Sequence, residues 1–218
     1  MKKSSILKKS LILCTALPLV FFGENVIAGG ETASEKSPWL VRVRFIDVQP
    51  QEDSTTNING HVTGDSSIVP ELDISYFWTD NIATELILGT SVHHMGAVNT
   101  DLGKLDLGEV NLLPPTLTMQ YHFKPDEDVR PYVGAGLSYI FYYDQEVDGS
   151  SISHIEYDNG IGYALQAGVD LAIDKNWAMN FDVKKIFHQV DVTINNGAVT
   201  ADVDLDPWVI GVGMAYRF

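Results

Sequence analysis

The sequence predicts an all-β fold: an eight-stranded antiparallel transmembrane β-barrel, preceded by a cleaved signal peptide. Three observations support this prediction. Apolar residues recur at every second position in eight segments, the period of a strand with two different faces. The connections between segments alternate between short and long, as in barrels that span an outer membrane. The face opposite the apolar one is charged or small, which suits a narrow barrel interior better than a packed core.

Composition excludes several other classes of protein. The chain has 218 residues with 14 basic and 29 acidic side chains, a net charge of −15. Such acidity argues against a nucleic-acid partner, because phosphate binding depends on clustered Lys and Arg. The single cysteine, Cys14, excludes a disulfide framework and a cysteine-rich zinc site.

The first 28 residues have the order of a secretory signal peptide. Four lysines lie within the first nine residues, an apolar run covers 11–22, and Ala28 ends a Val-Ile-Ala triplet. Cleavage is expected after Ala28, which leaves 29–218 as the barrel. The alternative is a membrane anchor, but the apolar run is well short of the ~20 residues that a spanning helix needs.

Eight alternating segments follow this leader. They cover 39–46, 71–78, 82–89, 116–123, 133–143, 162–171, 177–184 and 208–218. The last is the most regular: Trp208, Ile210 and Val212 alternate with Val209, Gly211 and Gly213. Aromatic residues gather at both ends of the segments, as the two interfaces of a bilayer select. We therefore expect the apolar face to contact lipid.

The connections indicate which end of the barrel faces outward. Short polar turns are predicted at 79–81, 124–130 and 174–176. Long outer loops rich in Gly, Asn, Asp and Ser are predicted at about 47–70, 94–113, 144–160 and 190–204. Outer-membrane barrels keep short turns on the periplasmic side and long loops outside.

Charged residues on the interior face predict an ion-pair network. Arg42 and Arg44 on the first segment neighbour Glu71 and Asp73 on the second, and Glu85 lies on the third. A charge inside a narrow barrel is costly unless it is paired. The network is either a structural plug or a selectivity and gating element. We favour the plug, because an eight-stranded interior is just wide enough for its own side chains.

Four apolar residues also face inward by the same alternation. They are Phe77, Ile87, Ile140 and Tyr142. Apolar interior residues fit the passage or capture of an apolar solute. An error of one residue in register would reverse this assignment, because it moves every side chain to the other face.

Pro114 and Pro115 remove two backbone donors near the outer end of the fourth segment. Proline in a strand marks an edge or a bulge. The pair could open a lateral gap toward lipid, or strand pairing could simply start after Pro115.

The last segment ends on an aromatic residue. Tyr216 and Phe218 lie on its apolar face. A terminal aromatic on an alternating strand resembles the recognition signal of outer-membrane barrel assembly. The alternative is a sheet that happens to stop there.

The histidines give no convincing catalytic or metal site. His93 and His94 are adjacent, so they point to opposite faces of a strand and make poor joint ligands. His122 is predicted to face the lumen as a hydrogen-bonded filler. We expect neither enzyme activity, nor a metal, nor a cofactor.

Several stretches resemble the outer membrane protein W (OmpW) family of Gram-negative bacteria. They read YFWTDNIATEL at 76–86, LPPTL at 113–117, RPYVGAG at 130–136, LDPW at 205–208 and YRF at 216–218. The resemblance implies an outer-membrane barrel with a narrow, partly hydrophobic channel, proposed to move small hydrophobic molecules. Some members serve as receptors for bacteriocins.

Two hypotheses for function follow. The first is passive transport of a small hydrophobic solute that leaves laterally or to the periplasm. The second is a sealed structural or adhesive barrel whose outer loops act as a receptor or host-contact surface. Under either, the expected surroundings are outer-membrane lipid, lipopolysaccharide and the barrel assembly machinery, in the bacterial cell outer membrane.

Overall fold

The computed structural model describes residues 37–56, 59–101, 103–146, 154–197 and 199–218. The expected signal peptide at 1–28 lies outside these residues. The described part is almost entirely strand, with one short 3-10 turn at Asn195–Gly197. No helix in it is long and apolar enough to cross a membrane. The strands are β1 (Trp39–Gln49), β2 (Glu52–Thr56), β3 (His61–Gly64), β4 (Ser67–Phe77), β5 (Ile82–Gly89), β6 (Ser91–Thr100), β7 (Gly103–Leu113), β8 (Thr116–His122), β9 (Val129–Glu146), β10 (Ile155–Tyr157), β11 (Gly160–Ala172), β12 (Trp177–Ile194), β13 (Val199–Leu205) and β14 (Trp208–Arg217).

Eight of these strands close into a barrel. Going round, β1, β4, β5, β8, β9, β11, β12 and β14 each pair antiparallel with the next, and β14 pairs with β1. Every barrel strand therefore has a partner on both sides, which removes the unpaired edges of an open sheet. The predicted eight-stranded antiparallel barrel is confirmed.

The two faces of each barrel strand follow the predicted alternation. On β1, Leu40, Arg42 and Arg44 are buried, whereas Val43 and Phe45 are 53% and 65% exposed. The outward face is apolar and the inward face carries the charges, the reverse of a soluble protein.

Beyond the barrel, the strands continue into an outer extension of two small sheets. One contains β2, β13, β12 and β10, and the other contains β3, β6, β7 and β9. The structure thus differs from the expected long loops, since their described parts are mostly strand. The reason is that apolar side chains recur at every second position, as at Val190, Val192 and Ile194. These side chains point inward and form an apolar core between the sheets.

A second apolar group, which we call the periplasmic cluster, lies inside the short-turn end of the barrel. It consists of Leu40, Phe77, Ala83, Ala178 and Ala215. The guanidinium carbon of Arg217 lies 4.0 Å from the ring centroid of Phe77, a cation–π contact.

Candidate functional site

Ion pairs fill the middle of the barrel. Arg42 donates to Glu85 Oε1 at 2.6 Å and to Asp170 Oδ2 at 2.7 Å, and also contacts Ser75 Oγ at 3.0 Å. Arg42 and Glu85 have no exposed side-chain surface. A guanidinium shared between two carboxylates satisfies the requirement that a buried charge be paired.

Arg44 forms the second half of this charge cluster. It lies 3.0 Å from Glu71, 2.5 Å from Asp73 and 3.2 Å from Asp182. Lys184 extends the cluster outward, 2.7 Å from Glu71 and 3.1 Å from Asp182.

The five residues predicted as a network are brought together here, with three ionic partners that the prediction lacked. These are Asp170, Asp182 and Lys184, which are buried on the interior face of the barrel. Neutral side chains complete the cluster: Gln120 and Gln166 donate to Glu85 at 2.6 and 2.9 Å. All of these groups are buried, so the cluster occupies the cross-section of the barrel.

Above the charge cluster lies an apolar cavity. Its empty volume is about 970 Å³, which includes the space open to solvent. Glu71 and Lys184 form its floor, and most of its walls are hydrophobic. The apolar side chains of the walls are Ile46, Val48, Pro50, Val69, Ile87, Met95, Val110, Leu112, Pro114, Ile140, Ile186, Leu205, Pro207 and Val209, with the aromatic Tyr142 and Tyr157.

Three of the four residues predicted to line an apolar lumen do line this cavity. They are Ile87, Ile140 and Tyr142. Phe77 does not, because it sits at the short-turn end of β4, in the periplasmic cluster on the other side of the charge cluster. Alternation gives the face of a residue but not its height along the barrel.

The barrel wall has an interruption beside the cavity. Pairing between β5 and β8 ends at Ile87 and Thr116, and pairing between β6 and β7 begins at Ser91 and Leu112. We call the stretch between these pairs, 88–90 and 113–115, the wall window. Gly89, Thr90 and Pro114 from this window line the cavity.

The two prolines have different positions at the window. Pro114 faces the cavity, whereas the carbonyl of Pro115 accepts a hydrogen bond from the Tyr139 amide at 3.0 Å. Pairing of β8 with β9 therefore resumes at Pro115, although neither proline can donate to the opposite strand.

The three histidines that were tested as catalytic or metal-binding candidates all have polar partners in the structure. His93 is buried and its ring contacts Ser91 at 2.9 Å and the Asp65 carbonyl at 2.8 Å, while His94 points outward to Asp106. His122 is buried in the lumen, 3.0 Å from Gln120 Oε1. No group of His, Cys, Asp and Glu in the described ranges has the arrangement of a metal site.

Tyr216 and Phe218 lie in the aromatic belt at the short-turn end. Their ring centroids are 5.0 Å apart, and Tyr216 also packs on Trp177 at 4.8 Å. This position at the membrane interface suits amphipathic rings.

Two acidic side chains face each other on the outer extension. Asp191 on β12 pairs in register with Asp202 on β13. A hydrogen bond with Asp202 raises the pKa of Asp191, because it stabilises the protonated carboxyl between two like charges.

Comparison with known proteins places this barrel in a family. The sequence model of the OmpW family matches residues 35–218. The chain belongs to the OmpW family. It is 42% identical to the uncharacterized outer-membrane protein y4mB of Sinorhizobium fredii, over 94% of this chain and 87% of that one. It is 30% identical to outer membrane protein W of Vibrio cholerae, over 85% and 91%.

A solved structure has the same architecture. The solid-state NMR structure of outer membrane protein AlkL in lipid bilayers superposes with a TM-score of 0.67 and 26% identity, covering 89% of this chain and 97% of AlkL. As an OmpW-family barrel with outer-membrane relatives, the protein is located in the outer membrane.

Proposed function

We propose that this OmpW-family barrel is a non-enzymatic, narrow channel for the passive transport of small hydrophobic molecules across the outer membrane. The observation that carries the proposal is the apolar cavity in its outer half. Transfer of apolar surface from water into such a cavity is favourable by ~25 cal/mol per Å². The cavity therefore offers a hydrophobic solute a binding site between the extracellular medium and the bilayer.

The charge cluster directs where the solute goes. An apolar molecule moving toward the periplasm would have to displace ion pairs that are fully buried. Separating buried charges from their partners costs several kcal/mol. The inner route is thus closed to an apolar solute.

The wall window supplies a lateral route. Gly89 and Pro114 border both the cavity and the interruption in strand pairing. Beyond the window lies the acyl-chain region, where a hydrophobic solute is stable. We infer that solutes enter from outside, bind in the cavity and leave through the window into the membrane.

The experiment narrows the window with one substitution. The atoms nearest to a Cβ built at Gly89 belong to Glu71 and the Pro70 carbonyl, at 3.8 Å, so Gly89→Phe directs a ring into the cavity without a backbone clash. Uptake of N-phenyl-1-naphthylamine by intact Gram-negative cells should fall at least fivefold. The matched control is Leu88→Phe, which places the same ring on the outward face and should leave uptake unchanged.

The outcome separates the two functions. If cells with the wild-type barrel take up no more probe than cells without it, the transport proposal is refuted and the sealed receptor hypothesis is favoured. If Gly89→Phe takes up as much probe as Leu88→Phe, solutes do not use the window.

The proposal includes the surroundings of the barrel. The aromatic pair Tyr216 and Phe218 is proposed as the signal read by the barrel assembly machinery. The acidic outer extension, including Asp191 and Asp202, is proposed to meet lipopolysaccharide.

A further inference from the structure

Two buried polar side chains of the apolar cavity lack well-formed hydrogen bonds. Among the described residues, the hydroxyl of Tyr142 makes none, and the ring of His188 has only a poorly aligned contact with the Ile161 backbone. Tyr142 is 8% exposed and His188 is 6% exposed, and both line the cavity.

Several other polar groups that line the cavity have partners. Glu71 pairs with Lys184 at 2.7 Å. Ser91 contacts His93 at 2.9 Å. Thr116 donates to the Pro114 carbonyl and to Ser138. Most buried polar atoms in proteins are paired, so an unpaired set in a binding cavity calls for a ligand group.

The same two residues belong to an aromatic stack. The ring of Tyr142 lies 5.4 Å from that of Tyr157 with an interplanar angle of 17°, and 6.1 Å from that of His188 with an angle of 26°. The three rings are near-parallel, and aromatic rings prefer such offset stacking, so a further flat ring can add to the stack.

We propose that the cavity selects flat aromatic molecules that carry one hydroxyl or carbonyl group, which hydrogen-bonds with Tyr142 and His188. This inference rests on the proposed function and names the substrate class of that site. An aliphatic hydrocarbon leaves both groups desolvated and unpaired. A phenol-like solute supplies the missing donor and acceptor while its ring lies against the stack.

The experiment compares a matched pair of probes, 1-naphthol and naphthalene, which differ by one hydroxyl. Binding is measured by equilibrium dialysis against lipid vesicles with and without the full protein, so that partition into lipid is subtracted. Tyr142→Phe keeps the ring and removes the hydroxyl, and should weaken 1-naphthol binding by roughly three- to tenfold, as one lost hydrogen bond does. Naphthalene binding should not change.

Two further variants complete the design. His188→Phe keeps an aromatic ring in the stack and should also weaken binding of 1-naphthol alone. Tyr163→Phe makes the same chemical change on a residue that is 64% exposed on the outward face, and should alter neither probe.

The results distinguish this inference from the proposed function. If neither probe binds wild-type vesicles above protein-free vesicles, the proposed function fails. If both probes bind, but Tyr142→Phe and His188→Phe bind 1-naphthol as the wild type does, the cavity is a general apolar site and this inference is overturned.

Discussion

Removing the charge of Arg44 should destabilise the barrel more than any single change to its carboxylates. Arg44 lies within 3.2 Å of Glu71, Asp73 and Asp182, and it is the only ion-pair partner of Asp73 among the described residues. Arg44→Met keeps a long apolar stem but leaves Asp73 buried without a cation. Breaking a buried pair in this way costs about 3–5 kcal/mol.

The formal charges of the cluster predict the ranking of variants. Its cations are Arg42, Arg44 and Lys184, and its carboxylates are Glu71, Asp73, Glu85, Asp170 and Asp182. Three cations face five carboxylates, so loss of Arg44 increases an existing excess of negative charge. Glu85→Gln reduces that excess and keeps the shape of the side chain. It should therefore destabilise less than Arg44→Met.

The assay is urea unfolding of the protein in lipid vesicles, followed by tryptophan fluorescence. Arg130→Met is a matched control, because Arg130 lies outside the charge cluster, half-buried at the start of β9, where it donates to the Glu127 carbonyl. Adding Asp73→Asn to Arg44→Met should recover part of the lost stability. If Arg44→Met unfolds at the same urea concentration as Arg130→Met, the charge cluster does not hold the barrel together.

Two further predictions concern strand spacing and the outer extension. At Gly136 an added Cβ overlaps the backbone of Leu117, so Gly136→Ala should fold poorly. Gly89→Ala is the control and should fold normally, because the nearest atoms to its Cβ are 3.8 Å away. The folded fraction is measured by heat-modified mobility on gels. Because the pKa of Asp191 is raised in the folded protein, this carboxyl stabilises the fold at pH values below its pKa in the unfolded chain. This stabilisation is lost as the pH rises through the pKa of Asp191 in the folded protein. Asp202→Asn should lower that pKa in an NMR titration, and an unchanged pKa would show that Asp202 is not its cause.

Sequence reasoning gave the faces of the strands but not the partners of their side chains. Arg42 and Asp73 are opposite each other in the β1–β4 register. Yet Arg42 bonds to Glu85 and Asp170, and Asp73 contacts Arg44 instead. Arg42 and Asp170 are 128 positions apart. Their contact depends on barrel closure across the lumen, which local alternation does not describe.

The outer extension was missed for a related reason. Its strands contain Asp, Asn and Gly, and composition alone made them resemble loops. The informative signal was the alternation of Val190, Val192 and Ile194 with polar residues, which continues that of β12 beyond the barrel. The cavity residue His188 lies in the same stretch, between the predicted strand and the predicted loop. Neither prediction therefore included it.

The buried charge cluster also bears on the permeability of the whole cell envelope. On the proposal that its side chains plug the lumen, insertion of each copy should create no aqueous leak for ions, hydrophilic antibiotics or nutrients. A bacterium can then raise the abundance of this protein without weakening its defence against water-soluble toxins. An open porin of comparable abundance would admit them.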